Sequence, residues 1–258
     1  MQADSRSFGF DLLYDQGPCL VVSKPGGVLT QAPPGIDSLE VRVKGFLRER
    51  RQKKTGNIYL GVPHRIDRPA SGALVLAAHA RAARRLSEQF ESRIVQKSYL
   101  ALVGGIVQGE EGTWVDWIRK IPDEARAEIS WEGQAGSKLA ELDFQVLARL
   151  GSVTLIQIQL KTGRTHQIRV QAASRGHPIF GDSLYLSQRD FGPETSDPRA
   201  RWIALHAFRI GFQHPMTHDR VVVTAPIPDC WRAFTDHRDW PCFLGESEGP
   251  GRPPNGSP

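Results

Sequence analysis

The chain has 258 residues, 40% of them hydrophobic, with a formal net charge of +5 and three cysteines. That length and apolar content suffice for one large domain or two small ones, and a pI near 9.3 suits a polyanionic partner. The longest apolar runs, near Ala73–Ala78 and Val221–Val223, are too short for a membrane span, and Met1–Phe10 lacks a secretion-signal core, so a cytoplasmic protein without membrane contact is expected.

In chain order, Cys19–Ser23 reads as a short strand ending at Lys24-Pro25-Gly26-Gly27, where Lys24 could touch phosphate or simply belong to the turn. Asp37 with Glu40 resembles a capping box opening a helix that turns Leu39, Val43, Phe46 and Leu47 to one side. A strand follows over Ala73–Ala78, then a helix over His79–Arg93 with Ala83, Leu86 and Phe90 inward. Val95–Val103 reads as a strand that presents Lys97, Tyr99 and Ala101 on one face. Further strands are expected at Leu139–Leu147, Val153–Leu160, Ile203–Phe212 and Val221–Ala225, with the turn His214-Pro215-Met216-Thr217 joining the last two and a short helix over Gln167–Ser174.

Few long helices alternate with these strands, so the pattern predicts an α+β fold with an antiparallel or mixed sheet, not a doubly wound parallel one. Ser187–Ala200 reads as a long exposed loop, and Gly245–Pro258 as the disordered end of a C-terminal tail. Cations crowd Arg42, Lys44, Arg48, Arg50, Arg51, Lys53 and Lys54, and again Arg81, Arg84 and Arg85. Each set alone fits a solvated helix face as well as one that contacts a polyanion. Cys19, Cys230 and Cys242 have neither C-x-x-C nor metal-ligand spacing and read as reduced thiols.

Two polar segments break the core pattern: His64-Arg65-Ile66-Asp67, and Thr162-Gly163-Arg164-Thr165-His166-Gln167-Ile168-Arg169. Asp67 precedes Arg68-Pro69-Ala70-Ser71-Gly72, so it sits on an irregular loop, where an aspartate alone would most simply cap a turn. Arg164 and Arg169 change that reading, because a guanidinium beside a carboxylate favours its charged form.

On these residues the chain resembles the RluA type of RNA pseudouridine synthase. The family segment H-R-L-D-x-x-T-S-G stands here as His64-Arg65-Ile66-Asp67-Arg68-Pro69-Ala70-Ser71-Gly72, and K-x-Y-x-A as Lys97-Ser98-Tyr99-Leu100-Ala101. A third block runs from Thr162 to Tyr185 and includes Gly176-His177-Pro178-Ile179 and Gly181-Asp182. Val21-Val22-Ser23-Lys24-Pro25-Gly26-Gly27 and Leu205-His206-Ala207 flank these blocks. Ala70 replaces the usual Thr, Ile66 a Leu, and Gln171 the His of many members, departures that touch subfamily more than chemistry.

The resemblance implies a pseudouridine synthase fold: a central mixed, mainly antiparallel sheet with flanking helices and a catalytic cleft. It implies a catalytic domain over 10–232, a tail over 233–258, and no separate N-terminal RNA-binding domain. Asp67 would be the essential carboxylate, Arg169 its ion-pair partner, and Tyr99 the group stacked on uracil, its hydroxyl able to assist proton removal from C5. Arg65 would fill the space left by the extruded base or contact the displaced strand, and His64 would fix the loop. Lys97, Arg164, His166 and Gln167 complete the expected substrate contacts. The partner is a transfer or ribosomal RNA, beside which phosphate contact becomes the better reading of the two cation sets; no cofactor or metal is needed for the isomerisation, and a monomer is favoured. Two other classes remain open: a noncatalytic RNA-binding protein on the same scaffold, and a hydrolase using Asp67 with a histidine, for which no water-activating partner is found.

Overall fold

The computed structural model describes residues 3–53, 55–241 and 244. Ten strands form one sheet: β1 (Asp11–Gln16), β2 (Cys19–Lys24), β3 (Ser71–Ala77), β4 (Gln96–Gly104), β5 (Glu111–Lys120), β6 (Ala127–Ser130), β7 (Lys138–Leu150), β8 (Val153–Leu160), β9 (Leu205–Gln213) and β10 (Arg220–Thr224). Their order is β1-β2-β3-β9-β4-β8-β7-β5-β6, with β10 also paired to β9. Pairing is antiparallel except between β3 and β9, which run parallel through Ser71–His206 and Gly72–Ala207. The expected α+β class and mixed, mainly antiparallel sheet are thus observed, with β1, β5 and β6 as strands beyond those expected.

Every residue of β3 is buried, which explains its unbroken apolar run. Leu74 and Leu76 pack with Leu39, Val43, Phe46 and Leu47 of α1 (Leu39–Arg50), while Val75 and Ala77 pack with Ala82 and Leu86 of α2 (Ala80–Glu91). The inward face of α1 is the one its sequence spacing gives. Its cap differs: Ser38, not Asp37, is the N-cap, its hydroxyl accepting from the Val41 amide at 3.3 Å. Asp37 and Glu40 instead pair with Arg42 and Lys44, each at 2.6 Å.

Gly72 shows why this junction needs a glycine. Its φ is +119°, and a Cβ there would lie 2.3 Å from the Ala207 carbonyl oxygen. The bare backbone lets β3 meet β9 immediately after the Asp67 loop. Beside it, buried His206 is held by Ser71, Oγ to Nδ1 at 2.8 Å. Packing continues past residue 233: Trp240 lies edge-on to fully buried Trp231, ring centroids 6.4 Å apart. The tail expected over Gly245–Pro258 lies outside the described residues. Within them, no helix is long and apolar enough to cross a membrane.

Removing the cap tests the start of α1. Ser38→Ala should cost about 1 kcal/mol of unfolding free energy. Asp37→Ala, which loses only an exposed ion pair, should cost roughly 0.5 kcal/mol or less, both read from urea denaturation.

Candidate active site

Asp67 stands on the loop between α1 and β3, and the segment after β2 clamps that loop on both sides. Thr30 Oγ1 donates to the Ile66 carbonyl at 2.9 Å and accepts from the Ile66 amide at 3.2 Å. Beyond Asp67, Lys24 Nζ donates to the Arg68 carbonyl at 3.2 Å, while Arg68 Nε donates back to the Gly27 carbonyl at 2.9 Å. Lys24 also donates to the Pro25 and Val28 carbonyls, at 2.8 and 2.9 Å. It is fully buried, so it is a structural tie and offers no phosphate contact. Burial lowers its pKa to about 7, an effect Asp67 opposes. The Asp67 carbonyl accepts from the Ala70 amide at 3.1 Å, closing the turn.

Arg169 projects from α3 (Gln167–Ser174), a helix that follows β8 and is buried from Gln167 to Ala172. Its guanidinium is forked onto Asp182, with Nε to Oδ2 at 2.6 Å and Nη2 to Oδ1 at 2.8 Å. The remaining Nη1 donates to Asp67 Oδ2 at 3.2 Å. Side-chain exposure is 4% for Arg169, 1% for Asp182 and 23% for Asp67, so only the last carboxylate reaches solvent. The Tyr185 ring lies 5.0 Å from the guanidinium carbon. Burial opposes the Arg169 charge, but the hydrogen bonds and charge of Asp182, with the charge of Asp67, win and raise its pKa above the ordinary value.

Asp67 opens into a cleft of about 1520 Å³ that Tyr99, His64 and Lys97 also line. Tyr99 is half-buried on β4, and burial together with the Asp67 charge raises its pKa. Arg65 is exposed beside Asp67, on a wall shared with a second cavity of about 570 Å³. His64 Nε2 accepts from the Val75 amide at 3.0 Å, and its ring stacks on Phe90 at 4.3 Å, fastening the loop to β3 and α2. The Lys97 ammonium sits 6.0 Å from the same Phe90 ring, its pKa lowered by burial. Arg164 lines the cleft while donating from Nε to the Leu139 carbonyl at 2.8 Å.

Gln167 lines the cleft with its amide largely tied to the protein. It is buried; its Oε1 accepts from the Thr162 hydroxyl at 2.8 Å and the Arg164 amide at 3.0 Å, and its Nε2 donates to the Glu141 carbonyl at 3.1 Å. Its place is inside the turn that starts α3. His166, before it, adopts φ 53°, a left-handed conformation uncommon outside glycine, which aims the ring at Asp67: Nε2 lies 3.8 Å from Oδ2. Asp182 was the residue missed by motif reading; it lay in the third block, but nothing in its neighbours marked it as the partner of Arg169.

The positive lining also differs from the sequence expectation. Lys97, Lys120, Lys161, Arg164, Arg209 and Arg220 line the cleft, against the carboxylates of Asp67 and Glu91. The cations of α1 and α2 lie elsewhere, and several are paired: Arg42 with Asp37, Lys44 with Glu40, Arg50 with Asp15, and Arg84 with Glu88. Among the described residues, no three His, Cys, Asp or Glu side chains gather as a metal site.

The family model for RNA pseudouridylate synthase matches residues 18–174, and the chain belongs to that family, whose members are isomerases converting uridine in RNA to pseudouridine. Ribosomal large subunit pseudouridine synthase C of Buchnera aphidicola subsp. Acyrthosiphon pisum is 32% identical over 223 residues, covering 84% of this chain and 67% of that protein. tRNA pseudouridine synthase C of Haemophilus influenzae is 29% identical over 241 residues, covering 89% of this chain and 98% of its own length. Among solved structures, human RNA Pseudouridylate Synthase Domain Containing 1 matches with a TM-score of 0.65 at 29% identity, covering 87% of this chain and 86% of the other.

Two measurements probe this arrangement. Asp182→Asn keeps the side chain's size but strands the buried Arg169, so urea unfolding should show a loss of about 3–5 kcal/mol. The second concerns His64, whose pKa is lowered from 6.5 to about 3 by burial and then by the Lys97 charge. The unfolded chain therefore binds a proton below its ordinary pKa that the folded chain refuses. The associated stability is present above pH 6.5 and is lost as pH falls from there toward 3. Between about pH 7.5 and about pH 5, wild type should lose up to roughly 2 kcal/mol more than His64→Gln, which keeps an acceptor for the Val75 amide.

Proposed function

We propose that this chain isomerises specific uridines in transfer or ribosomal RNA, with Asp67 as the essential carboxylate. The observation that supports this most is the buried Asp182–Arg169 pair, whose third guanidinium arm points Asp67 into the cleft that Tyr99 lines. The reaction breaks the N1–C1′ bond, turns the uracil and forms a C5–C1′ bond, while C5 gives up its proton to solvent and N1 takes one up. Atoms and electrons balance within the nucleotide, so no oxidant or co-substrate enters. Asp67 acts as a nucleophile at sugar or base, or as a base at the ribose; each route needs a carboxylate of fixed direction, which Arg169 supplies.

Tyr99 stacks on the uracil. Its raised pKa keeps the phenol protonated at neutral pH, which favours stacking and hydrogen bonding over proton abstraction. A target inside folded RNA must leave its stack, at a cost of a few kcal/mol. Exposed Arg65 at the mouth is placed to fill the space vacated, and the lysines and arginines of the cleft to take flanking phosphates. This work falls to a catalytic domain that starts near residue 10 and whose packing runs on past residue 233 to Trp240, in a cytoplasmic protein acting as a monomer.

Tritium release from RNA labelled at uridine C5, prepared from cells lacking the protein, tests the proposal directly. Wild type should release label and Asp67→Asn should be slower by roughly 10²- to 10⁴-fold or more. Equal release by both proteins would remove Asp67 from the chemistry. Release by neither, with RNA binding kept by both, would leave a noncatalytic RNA-binding protein.

A further inference from the structure

The hydrogen bonds behind His166 decide which of its nitrogens carries the proton. Ala127 of β6 pairs with Lys120 of β5, while the neighbouring Arg126 carbonyl accepts from the Ile121 amide. Alternation in an antiparallel ladder therefore turns the amide and carbonyl of Ala127 away from β5, toward the free edge of β6. Tyr185 caps that edge: its hydroxyl oxygen accepts from the Ala127 amide at 2.9 Å and lies 3.1 Å from the Ala127 carbonyl oxygen.

Ala127 is 1% exposed, so its carbonyl depends on the single phenolic proton, and leaving a buried carbonyl without a donor is costly. The proton thus belongs to the Ala127 carbonyl. The remaining neighbour of the phenolic oxygen, His166 Nδ1 at 3.0 Å, must then be the donor. Nδ1 carries hydrogen, and Nε2 is a bare lone pair.

That lone pair faces Asp67 Oδ2 across 3.8 Å. Burial, opposed by Asp67 and assisted by Arg169, lowers the His166 pKa, so the ring does not resolve the encounter by taking a second proton at neutral pH. Asp67 Oδ2 already accepts from Arg169, whereas among the described residues Nε2 has no donor, so it is matched when a bound molecule brings one into the cleft. Within an RNA chain the 3′ and 5′ oxygens of uridine are esterified, which leaves the 2′-hydroxyl and the N3–H. N3 is on the base, separated from the sugar-bearing N1 by C2, and its hydrogen points away from the ribose. The 2′-hydroxyl is on the carbon next to C1′, where Asp67 has to work.

We propose that His166 Nε2 accepts a hydrogen bond from the 2′-hydroxyl of the target uridine, so that His166 reads ribose against deoxyribose. The inference rests on the pseudouridine synthase reading and assigns one atom of its substrate to one atom of the protein. It also gives Tyr185 a function, since the phenol fixes the tautomer that makes Nε2 an acceptor.

The test uses a synthetic RNA hairpin carrying the uridine mapped by pseudouridine sequencing, and its twin with 2′-deoxyuridine at that one position. Wild type should bind the ribose form roughly tenfold more tightly, the weight of about one hydrogen bond. His166→Asn, a residue that tolerates the left-handed backbone, should bind both forms alike. A wild type with no preference, or a folded His166→Asn that keeps the full preference, overturns the proposal. A merely structural role would weaken both forms equally, and that outcome also counts against it. Should the variant fail to fold, a long-range proton–nitrogen NMR correlation on wild type decides: the proton on Nδ1 is expected, and the proton on Nε2 refutes the assignment. Absence of any pseudouridine formed by wild type would instead remove the functional reading itself.

Discussion

One guanidinium fixes the geometry of this site. Arg169 lies almost wholly out of water, and a charge in that position is tolerated only with its hydrogen-bonding arms matched. Asp182 takes two arms in a fork, which settles the plane and direction of the group, and the third arm then has a single place to go. Asp67 is that place. The arrangement is asymmetric: the carboxylate that orients the arginine is sealed, while the carboxylate that the arginine orients keeps a path to the cleft. A helix as short as α3 can supply this only because β8 and the buried turn around Gln167 set its start.

The other half of the alignment comes from the loop, which has no regular structure to hold Asp67 still. Thr30 grips the residue before it and Lys24 the residue after it, each through backbone atoms, so that loop position is tied to β2 independently of side-chain identity. Lys24 suits the task because an ammonium has three donors for three carbonyls. Gly72 completes the fixture by letting β3 close against β9 directly behind the loop. Reactive groups on loops gain precision from such scaffolding. The backbone of residues 24–30 is thus as much a part of the active site as the side chains that face the cleft.

Charge distribution separates two kinds of cation. Those on α1 and α2 look prominent in a linear sequence, yet several answer nearby acids and none lines the cleft. The cations that face it come from scattered places, such as Lys97 on β4, Arg209 on β9 and Arg220 on β10, and converge only because those strands are neighbours in the sheet. Clustering along the chain is therefore a poor guide to a binding face when the binding face is built from strand ends.

The sequence by itself determined the elements whose cause is local. The inward face of α1, the buried run of β3 and the extent of α3 follow from side-chain periodicity, and the motifs around Asp67, Tyr99 and Arg169 carried the family. It did not reveal β1, β5 or β6, whose mixed polarity reflects strands exposed on one side, nor the cap at Ser38, which depends on one hydroxyl meeting one amide. Only the tertiary structure decided that Asp182 orients Arg169, that Gln167 serves a turn and Lys24 a carbonyl cage, and that the Tyr185 hydroxyl meets the ring of His166. Each of these is a contact between groups far apart in the chain or hidden from solvent. Hydrogen-bond partners are assigned by distance and burial, and a linear pattern encodes neither.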